Sequence, residues 1–299
     1  MDHEAIGITC ALLAALAWSL AMIFFKKSGE NVPPLALNLF KNVIAVVLLT
    51  ITLAFVSDGW SQIWSYSAGD IWILLISGII GIAVADTLFF YSLNLIGVGI
   101  VSIVDCLYSP FIILFSFLLL AEELSPLQYL GAALVLAAVY ITSGHAPPAD
   151  RTKRQLLAGI LIGVVNMAFM GFGIVIAKPV LNHSDVTVAT LIRMVGGTAV
   201  LLVVILALPR RRALLAAFRP SRSWRMSIPG AVLGAYLACI LWIAGFKYSR
   251  ASVAAILNQT TTIFALILAA LILKEKFTRR KFVAVIIATI GILLVAFYE

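Results

Sequence analysis

The sequence predicts an all-α integral membrane protein with ten transmembrane helices arranged as two inverted five-helix repeats. Three observations carry this prediction. Of 299 residues, 63% are hydrophobic and only 11% charged, with a mean hydropathy of +1.12, well outside the range of soluble domains. The apolar residues fall into ten long windows separated by Gly, Pro or charge. Charged landmarks of the first half recur in the second at a nearly constant offset.

The windows run over 5–25, 35–56, 71–93, 98–120, 127–143, 155–177, 187–208, 226–246, 251–273 and 281–298. Each is roughly 17 to 23 residues long, enough to cross a bilayer with some tilt. None shows the period-two alternation of a transmembrane strand, so a β-barrel is excluded. The first window follows Asp2 and Glu4 instead of a basic segment, and so reads as a retained helix and not a signal peptide. The fourth window carries Asp105, and Pro110 five residues later leaves the carbonyl of Cys106 without its helical donor. Ser102, Tyr108 and Ser109 lie beside that gap. The polar segments 57–70, 144–154 and 209–225 are too short to hold a soluble domain. The expected organisation is a first repeat over 1–143, a linker over 144–154 and a second repeat over 155–299.

Repetition is read from matched residues. Lys26 and Lys178 close the first and sixth helices, and Lys41 and Arg193 stand early in the second and seventh. Glu122 and Glu275 follow the fourth and ninth, in L-A-E-E-L-S and L-K-E-K-F-T. Lys41 and Arg193 are 152 residues apart, and Glu122 and Glu275 are 153 apart. Five helices per repeat is an odd number, so the two halves lie in opposite orientations, an arrangement that places a binding site at the repeat interface near the midplane.

The net charge of +8 does not indicate nucleic acid. The basic residues sit between the apolar windows, where they suit lipid headgroups and set topology. They concentrate after helices one, five, seven and nine, whereas Asp58, Asp70, Glu122 and Glu123 follow helices two and four. The bias predicts that both termini lie outside the cytoplasm. Cys10, Cys106 and Cys239 stand inside apolar windows and give neither a disulfide framework nor zinc spacing. With no H-E-x-x-H, Walker A motif or nucleophile elbow, no enzyme, cofactor or ATP-driven pump is expected.

Ten helices in two repeats, each with an early second-helix cation, a Y-S-L-N-L-I-G-V-G or A-G-F-K-Y-S-R-A-S turn between its third and fourth helices and an E-x-x-S/T after the fourth, resemble the EamA family of the drug/metabolite transporter superfamily. The resemblance covers Ala5 to Phe297. It implies a secondary transporter, an exporter of amino acids or other small metabolites, in a bacterial cytoplasmic membrane, with a central cavity lined by both halves. The small multidrug pumps of that superfamily use an acidic residue in the first helix. This chain has none there, so their mechanism is not carried over. Members of the family are commonly described with cytoplasmic termini, against the charge bias here.

The intramembrane charges are the candidate site. Lys41, Asp86 and Asp105 stand about 9 to 12 Å below one membrane face, at similar depth. They form either a protonatable or cation-binding cluster or a structural ion-pair network. Asp86 and Asp105 correspond in the second half to Cys239 and Asn258, so Arg193 has no acid at its depth. It either meets a substrate carboxylate or phosphate, or snorkels to water. Asn258, Gln259, Thr260, Thr261 and Thr262 surround most of a helix and line a cavity, a neighbouring helix or both. Trp18 and Tyr108 complete the candidates, with Ser19, Asn38, Tyr91 and Asn166 as weaker ones. The expected partners are a small-molecule substrate, protons and the lipid bilayer, and the oligomeric state is left open. A non-transporting membrane scaffold is the alternative, and it would have a dry, packed interior between the repeats.

Overall fold

The computed structural model describes residues 3–55, 63–120, 126–143, 152–248, 251–275 and 278–296. The landmark Glu122, the acids Asp58 and Glu123, and most of the linker lie outside these. The chain is α-helical throughout the described residues: α1 His3–Ser28, α2 Pro34–Phe55, α3 Ala68–Gly78, α4 Asp86–Val104, α5 Tyr108–Leu120, α6 Pro126–Ser143, α7 Lys153–Leu181, α8 Val186–Ala207, the short α9 Arg211–Leu215, α10 Trp224–Gly230, α11 Cys239–Tyr248, α12 Ala251–Ile272 and α13 Arg279–Ala296. Single spans are made by α1, α2, α6, α7, α8, α12 and α13. The third, fourth and eighth are composite.

The composites explain the helix-breaking signals. Ala68–Leu119 is a 52-residue apolar run that holds two spans. They part at Gly97, whose φ of 77° and ψ of 171° fall in a region open essentially to glycine alone. The third span is α3, a π-helical segment Ile79–Ala85, and the first part of α4. The fourth continues from Val98 through a 3₁₀ turn at Asp105–Leu107 into α5. That turn sits where Pro110 removes a donor, so the fourth window is interrupted at the position its proline marks. The eighth span is α10, a second π-helical segment Ala231–Ala238, and α11.

Local chemistry sets the helix starts. Ser67 and Thr152 each form a capping box, with Asp70 and Gln155 respectively. Asp185 caps α8 by accepting from the amides of Thr187 and Val188. Each satisfies amide donors that a first turn leaves unpaired.

Packing between the halves follows a two-fold pattern. The first span packs on the eighth and ninth, and the sixth correspondingly on the third and fourth. The second packs on the seventh and the fifth on the tenth, each pair being its own counterpart. The third packs on the seventh as the eighth packs on the second. Odd-numbered repeats related in this way are antiparallel, as the helix count requires. Close approach is made by small residues: a Cβ on Gly78 would stand 1.9 Å from the backbone oxygen of Arg193, which only glycine avoids. Across the same contacts Ser77 donates to Gly173 O at 2.6 Å and Ser92 to Gly159 O at 2.8 Å.

Two membrane faces result. The N-terminal ends of α1, α3, α6, α8 and α12 lie on one, here the terminal face. The N-terminal ends of α2, α7, α10 and α13, together with the break at Gly97, lie on the other, here the basic face.

Candidate functional site

A cavity of about 190 Å³ opens between the repeats. Nine residues singled out from sequence line it: Trp18, Lys41, Asp86, Asp105, Tyr108, Arg193, Asn258, Gln259 and Thr261; Thr260 does not. The elements that bring them there are α1, α2, α4, the 3₁₀ turn, α5, α8 and α12. A scaffold with a dry interior would have no such space.

On the first repeat's side, Lys41 Nζ donates to Asp86 Oδ2 at 2.6 Å and to Asn42 Oδ1 at 2.7 Å. The Lys41 side chain is 1% exposed and that of Asp86 9%, so the pair is held out of water. The predicted approach of Asp105 to this pair is not realised as a bond. Asp105 makes no hydrogen bond or ion pair among the described residues and faces the cavity beside Ser102. Its carboxyl is therefore a distinct group from the Lys41–Asp86 pair, although all three share one depth.

On the other side, Arg193 is 4% exposed and so does not snorkel to water. It stacks on Trp242, its guanidinium carbon 5.7 Å from the ring centroid, a cation–π contact. Its Nε is buried with no hydrogen-bond partner. Seven residues separate Arg193 from the start of α8, as seven separate Lys41 from the start of α2. At 1.5 Å per residue, each is about 10 Å deep, from opposite faces.

Among the described residues, four buried side-chain polar atoms have no hydrogen-bond partner: Tyr108 Oη, Asn166 Oδ1, Arg193 Nε and Asn258 Nδ2. All four residues line this cavity. Buried polar atoms are ordinarily paired, and an orphan costs about 1–3 kcal/mol. Four around one space leave unmet hydrogen-bonding capacity there.

The ninth span divides its polar run between two tasks. Gln259 donates to Ser109 Oγ at 3.0 Å, and Thr262 to Ser102 O at 3.0 Å. Ser19 Oγ donates to Thr261 O at 3.1 Å. These bonds tie α12 to the fourth span and to α1, while Asn258 and the Thr261 side chain face the cavity. Of the weaker candidates, Asn166 lines the cavity and Tyr91 faces outward, 45% exposed. Asn38 donates to Ile82 O at 2.8 Å and to Thr87 Oγ1 at 2.9 Å, satisfying a carbonyl of the first π segment.

Sequence reasoning missed Trp242, Met167, Met170 and Met194, which give the cavity its apolar wall. A lone Trp or Met in an apolar window carries no distinguishing signal. It also missed the two π segments. Each ends immediately before a cavity residue, Asp86 or Cys239, and their starts, Ile79 and Ala231, are offset by 152 residues, the register of the repeat. A wider helical turn at the same place in both halves, just ahead of the polar position, is characteristic of functional sites.

Ten spans in two inverted repeats around a central cavity, apolar-walled and set with a few polar and charged groups, define a membrane carrier. The sequence pattern of the EamA-like transporter family matches residues 5–144 and again 157–297, and the chain belongs to that family. It is 25% identical over 144 residues to the uncharacterized transporter YoaV of Bacillus subtilis. It is 30% identical over 131 residues to the uncharacterized transporter sll0355 of Synechocystis. The alignments span 49% and 39% of those two relatives. An uncharacterized transporter of Archaeoglobus fulgidus is 23% identical over 287 residues, 96% of each chain. One solved crystal structure aligns over 97% of this chain and 96% of its own, with a TM-score of 0.67 and 16% identity, a likeness of fold.

Proposed function

We propose that the protein is a secondary carrier that exports a small polar metabolite of the amino-acid kind across a bacterial cytoplasmic membrane, by alternating access and coupled to protons. The carrying observation is the set of orphaned polar atoms around one cavity between the repeats. Arg193 offers its unpartnered Nε to a carboxylate. Asp105, a carboxyl free of the Lys41–Asp86 pair, takes either the substrate's ammonium group or a proton. The methionines, Phe89 and the two tryptophans accommodate an apolar side chain. At about 190 Å³ the space is below the roughly 300–1,000 Å³ of drug-sized sites, so the substrate is small.

The charged and titratable groups that line the cavity with Asp105 are Lys41, Asp86, Tyr108, Arg193 and Cys239. Lys41 and Asp86 neutralise one another. With Asp105 ionised, Arg193 is balanced and the empty cavity carries no net charge. A proton and the substrate's ammonium group compete for Asp105 while the substrate carboxylate meets Arg193, so substrate leaves as a proton enters, the sense in which an inward proton gradient drives export. Proton and substrate charge are thereby linked.

The test is ligand-dependent thermal stabilisation of the purified protein, followed by flux in proteoliposomes. A ligand at a hundred times its Kd stabilises by about 2.7 kcal/mol, which is readily seen. Expected are a response to one class of small zwitterion, its loss in Arg193→Gln, and flux in Asp105→Asn that no longer depends on pH. Wild-type pH dependence in a folded Asp105→Asn would overturn the proton role, and no ligand response across amino acids, sugars and organic acids would overturn the carrier reading.

A further inference from the structure

Outside the cavity, the break between the third and fourth spans is held by charges from two other parts of the chain. On its upstream side Lys26 of α1 donates to Leu93 O at 2.9 Å and Asn94 O at 3.1 Å. On its downstream side Glu275, which follows α12 in the second repeat, accepts from the first two amides of the restarting helix. Val98 N donates to Oε1 at 2.9 Å and Gly99 N to Oε2 at 3.0 Å. Lys281 at the start of α13 lies 3.3 Å from Oε2. Cation on carbonyls and anion on amides is the pairing that both helix dipoles favour.

The fit is tight from both partners. A Cβ on Gly97 would stand 2.8 Å from Glu275 Oε1, and one on Gly99 would stand 2.5 Å from Lys281 Nζ. Glu275 is itself fixed, because Lys274 adopts a left-handed φ of 55° and the Glu275 amide returns to Ala269 O at 3.1 Å. That conformation is strained for a lysine, and it stands where the carboxylate is presented. The contact joins the first repeat to the second at the basic face, and it lies between the ends of the fourth and ninth spans, which carry Asp105 and Asn258. The counterparts on the terminal face, Glu122 and Arg250, lie outside the described residues.

We infer that Glu275 is the clasp of the basic face, a positioning residue for the transport cycle that holds the two repeats closed there and must release Val98 and Gly99 for the cavity to open to that side. The inference rests on the carrier reading. Its test needs no substrate, so the two can fail separately. Cys239 lines the cavity and reports access. With Cys10 and Cys106 replaced by serine, a membrane-impermeant maleimide is applied to right-side-out and inverted vesicles containing the full chain. Ser221→Cys, exposed on the basic face, identifies the preparation that presents that face. Charge-assisted hydrogen bonds are the stronger kind, and losing two of them shifts a closed-to-open ratio by about tenfold or more.

Glu275→Ala is expected to raise labelling of Cys239 from the basic face by at least about tenfold, without raising it from the terminal face. Lys281→Gln and Glu275→Gln, which leave part of the clasp in place, are expected to raise it less. Equal labelling by wild type and a monodisperse Glu275→Ala would overturn the clasp. If that variant does not fold, unchanged labelling in both milder variants overturns it equally.

Discussion

At the scale of single residues, the contrast between Lys41 and Arg193 governs the site. They are repeat counterparts at mirrored depths, yet Lys41 is bonded to Asp86 at 2.6 Å while Arg193 lies against an aromatic face. A buried ion pair contributes little net stability, but removing one partner strands the other and costs about 3–5 kcal/mol. Lys41→Met is therefore expected to lower the midpoint of denaturant unfolding in detergent sharply, and Lys41→Met with Asp86→Leu to recover most of the loss. If the double variant were as unstable as the single one, the pair would have a partner beyond those named. The acids and cations of this site are legible in the sequence, since charge inside an apolar window always demands an explanation. The pairing is legible only as equal depth: Lys41, Asp86 and Asp105 share a level, but azimuth around each helix decides that Asp86 meets Lys41 and Asp105 meets the cavity. Trp242 and the methionines were illegible because their chemistry is that of ordinary membrane packing.

Among elements, the informative ones are irregular. Pro110 announces the 3₁₀ turn and the Gly97 motif announces a turn between spans, but nothing in I-I-G-I-A-V-A or A-V-L-G-A-Y-L-A distinguishes a π segment from an α-helix. Both segments lie where the third and eighth spans pack on the opposite repeat. The first is stabilised by Asn38, whose amide supplies Ile82 O with a donor. Asn38→Leu removes that buried donor, at a cost of about 1 kcal/mol. The expected outcome is a lower unfolding midpoint together with a weaker ligand response, because the segment ends at Asp86. Loss of stability with unaltered ligand response would mean that the segment serves packing alone.

For the whole molecule, the fold makes the charge bias a statement about topology. The basic face carries the exposed arginines Arg210, Arg211, Arg212, Arg219, Arg222 and Arg225, on a segment whose apolar side, Leu214, Leu215 and Phe218, rests on the bundle. Lys26 and Lys281 on the same face are engaged internally, so the exposed charge that a membrane potential and anionic lipids would sense there comes from these arginines together with Lys153, Arg154, Lys274 and Arg279. The terminal face carries Asp70 and Asp185 instead, each occupied in capping a helix. Every loop is short enough for the positive-inside rule to apply, and that rule counts lysine and arginine near the helix ends. It places the basic face in the cytoplasm and both termini outside, with the Glu275 clasp closing the cytoplasmic side and Arg193 lying nearer the exterior. A carboxyl-terminal alkaline phosphatase fusion is then expected to be active and a fluorescent-protein fusion dark. A fluorescent fusion without phosphatase activity would reverse the molecule in the membrane. The clasp would then guard the outer face, and export would require its release as the final step of each cycle instead of the first.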